Sequence, residues 1–409
     1  MIVALLLRRR NISTISWATW EKNERNVRNI LMRVLLIITD LRGGGAQKVT
    51  ITLGRGLADR GHEVHLLLFH RLCQYAVPPG VFTHVLTPIG NRLRSGWLGK
   101  RLLAAKLKQW CKAAGPFDLT LVSLPFAAEV VALARLAPVW HHIHNSLSAE
   151  IDTLSKRSAR RARRRLKRYR RLFDGSRLVA VSKGVAGDLR DGIGITGANI
   201  DVIYNAFDFE AIRALAAEPE PDLPPRPYII HAGRFASQKR HDLLFEAYSR
   251  AGIEHDLVLL VESSPGLVSL IKSFGLSSRV TVAGFRQNPF PWYAHASALV
   301  VTSDFEGFGN VLVEALACGT PVVSTDCRSG PSEILTGSLS RYLSPVGDAE
   351  ALARNLRSAV SERPTIDPAI LSRFSLQNAI DQIESLAKIS RCPDMYQVLT
   401  DSAGMPKSQ

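Results

Sequence analysis

Short, continuously apolar runs alternate with helix-like segments along most of this 409-residue chain. The first run, at 33–39, leads through three glycines into an amphipathic segment that continues to about residue 60. Similar runs lie at 62–69, 118–124, 138–144, 177–182, 200–206, 256–262, 279–285, 298–304 and 321–326. Apolar runs that alternate with helices are typical of parallel strands covered by helices on both faces. The pattern therefore predicts an α/β fold.

A proline-rich stretch divides this alternation into two similar halves. Residues 216–227 contain five prolines and interrupt every periodic pattern, as an extended linker does. Because a chain of this length accommodates two domains, we predict two Rossmann-like, doubly wound domains that face each other across a cleft. The predicted division is an extension outside the fold at 1–31, a first domain at 32–215, the linker at 216–227, a second domain at 228–366, a helix at 367–391 that packs back on the first domain, and a loose tail at 392–409.

Cysteine usage and apolar run lengths bear on location. The five cysteines are scattered and never in Cys-x-x-Cys spacing, which favours a reducing compartment over a disulfide framework or structural zinc. No run approaches the roughly 18 apolar residues that cross a bilayer. The opening MIVALLLRRR places its apolar stretch before the arginines, unlike a secretory signal. We expect a cytoplasmic protein, with residues 1–31 as an extension, an early start codon or, alternatively, a targeting or membrane-touching arm.

The net charge of +16 is concentrated in one segment, because residues 156–171 hold eleven basic residues and no acid. Apolar or small residues recur at steps of three or four from Ile151 to Phe173, which predicts one helix with a single packing stripe. An acid-free basic face favours an anionic membrane surface as partner. The residues predicted for this contact are Arg161, Arg164, Arg165 and Arg168. A solvated face and a nucleic-acid-binding helix are the alternatives, but no aromatic platform accompanies the helix, and nucleic acid is not the expected partner.

Two glycine loops follow strands and precede helices. Gly44 and Gly45 of the first loop allow a ligand to approach a helix N-terminus closely. The loop is neither a dinucleotide fingerprint nor a phosphate-binding P-loop, and a tight turn is the alternative. The second loop, GRFASQKR, places Gly233, Arg234 and Lys239 where the two cations can converge on one polyanion; a solvated helix start is the alternative.

No Asp-x-Asp pair follows a strand in the sequence. A divalent metal bridging a nucleotide diphosphate is therefore not expected, and fixed cations would have to neutralise the phosphates. We expect no metal and no cofactor.

The stretch SDFEGFGNVLVEALACGTPVVSTD places Glu306 and Glu314 on either side of a helix start. The helix follows Gly307, Phe308 and Gly309, and its free N–H groups suit a phosphate. Glu314, about one turn inside, can accept hydrogen bonds from ribose hydroxyls, while Glu306 faces the side where a sugar would project. The pair thus predicts a site for a nucleoside diphosphate sugar; two surface glutamates are the alternative.

These motifs resemble the retaining glycosyltransferases of family 4, which have the GT-B fold. The resemblance covers about residues 32–390 and is most specific at GRFASQK and at the Glu-x7-Glu pair. It implies that donor binds the second half and acceptor the first. It also favours His144, in the strand-terminal WHHIHNS, as a residue near the transferred sugar; a metal cluster of these histidines is the less favoured alternative. The implied catalytic residues are Glu306, His144, Arg234 and Lys239. The implied donor-binding residues are Gly44, Gly45, Gly233, Arg234, Lys239, Phe285, Glu306, Gly307, Phe308, Gly309, Asn310, Val311 and Glu314.

The resemblance implies an enzyme that transfers a hexose or N-acetylhexosamine with retention of anomeric configuration. UDP is the expected donor nucleotide, and the expected acceptor is lipid-linked or of lipopolysaccharide or capsule type. The enzyme would associate peripherally with the inner face of the cell membrane. A nucleotide-sugar epimerase or a soluble glucan or sucrose-type synthase of the same fold is the related alternative. A nucleic-acid-binding protein is the alternative from another class.

Overall fold

Two parallel β-sheets form the framework of the computed structural model, which describes residues 31–71, 74–87 and 96–391. The first sheet has seven strands in the order β3-β2-β1-β4-β5-β6-β7, and the second has six in the order β10-β9-β8-β11-β12-β13. All the strand pairs described in them are parallel. The α/β class and the two doubly wound sheets are therefore confirmed.

Within the described residues, the first half comprises seven strands and the helices between them. The strands are β1 (Arg33–Ile38), β2 (Glu63–Leu68), β3 (Val81–Val85), β4 (Leu119–Ser123), β5 (Trp140–Ile143), β6 (Arg177–Ala180) and β7 (Asn199–Val202). The helices are α1 (Gly45–Asp59), α2 (Trp97–Ala114), α3 (Pro125–Ala134), α4 (Leu147–Ser155), α5 (Ala159–Phe173), α6 (Lys183–Gly187) and α7 (Phe209–Ala216). A π-helical turn, Asp188–Gly192, extends α6.

The second half repeats the same alternation. Its strands are β8 (Tyr228–Ala232), β9 (Asp256–Leu260), β10 (Val280–Val282), β11 (Ala298–Val301), β12 (Val322–Thr325) and β13 (Leu343–Ser344). Its helices are α8 (His241–Ala251), α9 (Pro265–Ser273), α10 (Phe290–Ala294), α11 (Asn310–Ala317), α12 (Pro331–Ile334), α13 (Ala349–Glu362), α14 (Ala369–Ser372) and α15 (Leu376–Arg391). Short 3₁₀ segments lie at Ser237–Lys239 and Gly337–Tyr342.

Burial explains which strands the sequence reveals. Central strands such as β1 are apolar at consecutive positions and buried at nearly all of them, because helices cover both faces of the sheet. Strand β3 was not predicted, because it lies at the sheet edge and mixes polar with apolar residues. Its Phe82 is 56% exposed. This strand therefore lacks the continuous apolar run on which the prediction depended.

Helix α15 returns to the first half. Its buried Leu376, Ile380 and Ile383 belong to the same apolar cluster as the residues of β1 and α1. On α1's far end, Arg60 forms ion pairs with Asp381 and Glu384 at 2.6 and 3.0 Å. Helix α15 therefore packs on the first half through both apolar and charged contacts. The predicted extension before residue 31 and the predicted tail after residue 391 lie outside the described residues.

The helix predicted from Ile151 to Phe173 is divided into two helices, and the basic residues lie mainly in the second. Helix α4 ends at Ser155, and α5 begins after Ser158, whose hydroxyl accepts a hydrogen bond from the Arg161 backbone N–H. A serine in this position satisfies a free N–H group at the helix start. The predicted packing stripe survives within α5, where Ala162, Tyr169 and Phe173 are buried.

Candidate functional site

The two halves meet where a loop of the second half lies against strand ends of the first. This loop contains Gly307, and a Cβ atom built on Gly307 would lie 1.9 Å from the His144 carbonyl oxygen. Only glycine fits so close an approach. The Ser182 hydroxyl, after β6, donates a hydrogen bond to the Gly307 carbonyl at 2.8 Å. His144 and Ser182 follow neighbouring strands, so the contact lies at the carboxyl edge of the first sheet, where parallel sheets bind ligands.

Glu306 is buried beside this contact and is held by its own half. Its Oε1 accepts hydrogen bonds from Lys239 Nζ and from the Ser303 hydroxyl, both at 2.6 Å. Lys239 ends the 3₁₀ segment that follows the second glycine loop. The structure therefore brings together two of the predicted catalytic residues, Glu306 and Lys239, next to His144.

Glu314 is buried one turn inside α11 and is held by the other half. Its Oε1 is 2.7 Å from the Nζ atom of Lys48, in the first turn of α1. The same ammonium group lies 4.5 Å from the centre of the Phe290 ring. Each predicted glutamate thus has a lysine partner, and Lys48 was not among the predicted site residues.

Two helix N-termini face each other across the boundary between the halves. Asn310, the first residue of α11, accepts a hydrogen bond through its side-chain oxygen from the Asn205 amide at 2.7 Å. A Cβ atom on Gly45, the first residue of α1, would lie 3.1 Å from the Asn310 amide nitrogen. Gly309 precedes α11 with φ of 96°, a conformation that favours glycine. The positive ends of both helix dipoles therefore point toward the same small region, which suits an anion.

The remaining predicted donor residues frame this region. Gly233 begins the second glycine loop, and a Cβ atom built on it would lie 3.3 Å from Lys239 Cε. Arg234 is exposed, and within the described part of the chain it has neither a hydrogen-bond nor an ion-pair partner. Phe285 is also exposed and reaches the first half, where its ring centre is 6.3 Å from that of Tyr75.

Two predicted donor residues pack their side chains against the protein interior. Phe308 is buried, with its ring 5.2 Å from that of Phe374 and 5.8 Å from that of Tyr204. Val311 is half-buried and packs against the core. At Phe308 only the backbone is left to contact a ligand. The Phe308 side chain instead anchors the loop that carries Glu306.

His144 is an uncharged imidazole in this setting. Burial and the neighbouring His142, whose ring centre is 4.0 Å away, hold the pKa of His144 well below its usual range. Burial also lowers the pKa of His142 to about 3. Nε2 of His144 lies 3.2 Å from the Ser123 hydroxyl, while its Nδ1 is buried without a partner among the described residues. A neutral histidine with an unused ring nitrogen can hydrogen-bond a sugar hydroxyl without adding charge.

The four arginines predicted for the membrane or acceptor are not equivalent. Arg165 donates to Glu150 and to the Tyr169 hydroxyl, and Arg168 pairs with Glu129 at 3.0 Å. Arg161 and Arg164 are exposed and take no part in these ion pairs. The prediction of an acid-free basic face therefore needs a correction, because acids on neighbouring helices neutralise two of the four charges.

The site can bind a flexible, multiply charged ligand that also carries hydroxyl groups. Its carboxylates accept hydrogen bonds from hydroxyls, and its lysines and helix N-termini suit phosphates. In the described ranges, no group of three or more His, Cys, Asp or Glu side chains is placed to hold a metal ion. No helix among those described is both long and apolar enough to span a bilayer.

Two family models match this chain, one on each half. The model described as "Glycosyltransferase Family 4" matches residues 43–211, and the model described as "Glycosyl transferases group 1" matches residues 226–362. The first match contains His144 and Lys48, and the second contains Arg234, Lys239 and both glutamates. The two matches together cover most of the chain.

Relatives of known activity are glycosyltransferases. The chain is 28% identical over 344 residues to N-acetylgalactosamine-N,N'-diacetylbacillosaminyl-diphospho-undecaprenol 4-alpha-N-acetylgalactosaminyltransferase of Campylobacter jejuni, covering 81% of this chain and 91% of the relative. It is 28% identical over 208 residues to lipopolysaccharide 1,6-galactosyltransferase of Salmonella typhimurium, covering 48% of this chain and 56% of the relative. In the second comparison the chain thus spans little more than half of the relative's length.

Solved structures share the fold. HepE of Anabaena, solved in complex with UDP and glucose, superposes with a TM-score of 0.67 at 22% identity, covering 87% of this chain and 100% of HepE. Sucrose-phosphate synthase from Thermosynechococcus elongatus gives a TM-score of 0.66 at 21% identity, covering 91% of this chain and all of that one. The chain is therefore a glycosyltransferase enzyme with the GT-B fold, and its first half matches the model of glycosyltransferase family 4.

Proposed function

We propose that this enzyme transfers a hexose or N-acetylhexosamine from a UDP-sugar to a lipid-linked or lipopolysaccharide- or capsule-type acceptor, with retention of anomeric configuration. The observation that carries this proposal is the pairing of Glu306 with Lys239 and of Glu314 with Lys48. A UDP-sugar offers hydroxyls at both ends and a diphosphate between them. It can therefore replace both ion pairs at once.

The exchange is favourable for the buried charges. Each glutamate can exchange its lysine for sugar hydroxyls, with Glu314 on the ribose and Glu306 on the transferred sugar. The two ammonium groups are then free to turn to the phosphates, where Arg234 is an additional exposed cation. The N-termini of α1 and α11 supply further N–H groups for the diphosphate. No buried charge is left without a partner in this arrangement, and such a charge would be costly.

The proposed chemistry is a front-face displacement. Lys239, Arg234 and the start of α11 stabilise the negative charge that develops on the leaving diphosphate. The departing phosphate oxygen helps to take the proton from the acceptor hydroxyl. His144, neutral and beside Gly307, hydrogen-bonds a hydroxyl of the transferred sugar and orients it. The protein supplies fixed cations at each step, so the proposal includes no divalent metal and no cofactor.

The proposed acceptor rests on relatives and on charge. The Campylobacter relative is named for a diphospho-undecaprenol substrate and the Salmonella relative for lipopolysaccharide. Exposed cations on α5, including Arg161 and Arg164, lie on the first half, where the acceptor is expected. An acceptor carried by an anionic lipid would bring enzyme and substrate together at the cytoplasmic face of the membrane.

A donor panel tests this proposal. The purified chain is incubated with UDP- and GDP-hexoses and N-acetylhexosamines, with and without extracted bacterial lipid acceptors, and nucleoside diphosphate release is followed. We expect release from one UDP-sugar, strongly increased by the acceptor lipids. Release from GDP-sugars alone would overturn the donor assignment. Epimerisation of the sugar without an acceptor would favour the epimerase alternative.

A further inference from the structure

The start of α2 exposes three large apolar side chains. Trp97, Leu98 and Leu102 are 63%, 68% and 55% exposed. Leu98 and Leu102 are one helical turn apart, so their side chains lie on the same face. We call these three residues the α2 patch. A cluster of large apolar side chains on a protein surface marks an interaction site more often than a single exposed apolar side chain does.

The surroundings of the α2 patch are basic. Helix α2 carries five basic residues and no acid, and α5 carries nine basic residues and no acid. The guanidinium carbon of Arg101 lies 4.2 Å from the centre of the Trp97 ring. An aromatic side chain with a cation over its face is well suited to the boundary between lipid acyl chains and head groups.

One acid ties the two basic helices together. Glu129 on α3 pairs both with Lys100 of α2 and with Arg168 of α5. Helices α2, α3 and α5 therefore lie side by side on the first half. Glu129 is mostly buried between its two partners, so it leaves the outer surface cationic.

The α2 patch lies at the cleft side of the first sheet. Helix α2 connects β3 to β4, which belong to one parallel sheet, so it runs back across the sheet and begins at the carboxyl edge. The same edge carries His144 and the glycine loop before α1. A partner surface in contact with the α2 patch would therefore lie beside the carboxyl edge of the first sheet, where the two halves meet.

We infer that the α2 patch inserts into the interfacial layer of an anionic bilayer, while the cations of α2 and α5 contact the lipid head groups. Apolar side chains in the acyl boundary and basic side chains at its surface bind membranes jointly. An anionic lipid surface complements this region better than a protein partner does, because the basic residues of α2 and α5 far outnumber Glu129 and Glu150, the acids that pair with them. The inference names the contact that the proposed lipid acceptor requires, and to that extent it rests on the proposed function.

Vesicle co-sedimentation at two salt concentrations tests the insertion. The triple variant Trp97→Gln, Leu98→Gln, Leu102→Gln replaces only exposed side chains and keeps good helix formers. The control variant Val268→Gln, Val346→Gln replaces exposed valines of the second half. Vesicles contain one-third anionic phospholipid in a neutral phospholipid background.

We expect the triple variant to bind at least about tenfold more weakly than wild type, since several apolar side chains lose their burial. In 1 M NaCl, where charges are screened beyond about 3 Å, wild type should retain part of its binding and the triple variant none. Trp97 fluorescence, read as wild type minus Trp97→Phe, should be quenched by brominated acyl chains. The control variant should bind as wild type does.

Three outcomes would overturn the inference. Equal vesicle binding by the triple variant and wild type would exclude insertion. Binding by wild type that vanishes completely in 1 M NaCl would show a purely electrostatic contact. Loss of self-association in the triple variant, with vesicle binding unchanged, would show that a second copy covers the patch. UDP affinity and donor hydrolysis are measured on wild type and on the same variants. If wild type itself neither binds UDP nor hydrolyses a donor, the proposed function is wrong, while the result on membrane insertion still stands.

Discussion

At the scale of single residues, Glu306 and Glu314 are distinguished by what holds them. Glu306 is bound by Lys239 and Ser303 of its own half. Glu314 is bound by Lys48 of the other half. The position of the Glu306 carboxylate is therefore fixed within the second half, whereas that of Glu314 also depends on how the two halves pack together. This difference motivates separate predictions for the two positions.

Glu306→Gln and Glu314→Gln should have different effects. Glutamine keeps the size of the side chain but loses the charge, so Glu306→Gln should lower turnover by about a hundredfold, as the loss of one electrostatic contact in a transition state does. UDP affinity should change little. Glu314→Gln should weaken UDP binding, because a ribose contact is lost. Turnover is measured by nucleotide release and affinity by calorimetry. Wild-type values for both variants would show that the two glutamates do not contact the two ends of the donor.

Lys48→Met should weaken UDP binding by roughly tenfold or more, the cost of one charge-assisted hydrogen bond. The reason is that Lys48 turns from Glu314 to a phosphate when the donor binds. Arg55→Met on the same helix is the matched control, because its ion pairs are longer, at 3.6 and 3.7 Å. Calorimetry with UDP measures both. Unchanged or tighter binding by Lys48→Met would mean that the lysine only competes with the donor.

Residues within one local motif could be predicted from the sequence, and contacts between distant motifs could not. Glu306, Glu314 and Lys239 stood out because glycine turns, helix starts and charges occur together at short spacing. Lys48 lies 266 positions from its partner, so no local pattern connects them. One signal was available, since a cation in the first turn of a helix opposes the helix dipole and needs a compensating acid.

At the scale of elements, the basic segment shows how a single residue, Ser158, determines where a helix begins. The spacing from Ile151 to Phe173 predicted one continuous helix, but Ser158 begins a second one. Serine at a helix start was a recognisable signal, yet it also fitted the small positions of the packing stripe. The break brings Glu150 of α4 next to Arg165 of α5.

Arg165→Gln should lower the free energy of unfolding by about 1 kcal/mol, because it loses hydrogen bonds to Glu150 and Tyr169 at a half-exposed position. Arg164→Gln should change it by less than about 0.5 kcal/mol, as surface substitutions usually do. Urea unfolding of both variants measures the difference. Equal stability of the two variants would mean that the contacts to Glu150 and Tyr169 contribute nothing measurable.

At the scale of the whole molecule, each half of the chain contains one parallel sheet. The linker at 216–227 joins the two halves, and α15 packs back on the first half. The sequence predicted both sheets because buried parallel strands are apolar throughout. The edge strands β3 and β13 and the interdomain contacts were missed, since none of them produces a continuous apolar run, whereas the edge strands β7 and β10 were predicted from such runs. Buried histidines were also visible only in the structure, among them His141, His142 and His241.

These histidines predict how stability depends on pH. Burial lowers the pKa of His141 to about 4, of His142 to about 3 and of His241 to about 4, whereas an unfolded histidine titrates near about 6.5. Below that pH the unfolded chain binds protons that the folded chain excludes. Stability should thus be full above about pH 6.5 and fall toward pH 4, with each group contributing a slope of about 1.4 kcal/mol per pH unit.

Urea unfolding at pH 7.5, 6 and 5 measures this dependence, and His142→Leu is the informative variant. Its stability should fall less steeply between pH 6 and 5 than that of wild type, because one proton fewer is taken up on unfolding. A slope identical to that of wild type would show that His142 does not titrate as proposed.

The most direct test of the account is a transfer reaction without free metal ions. The purified chain is incubated in EDTA with a UDP-sugar and a polyprenyl-diphosphate-linked acceptor in vesicles, and the product is analysed by mass spectrometry and by NMR of its anomeric proton. We predict a product with the donor's anomeric configuration, formed as fast in EDTA as without it and about a hundredfold more slowly by Glu306→Gln. An inverted product, or strict dependence on Mg²⁺ or Mn²⁺, would contradict the proposed retaining, cation-assisted mechanism.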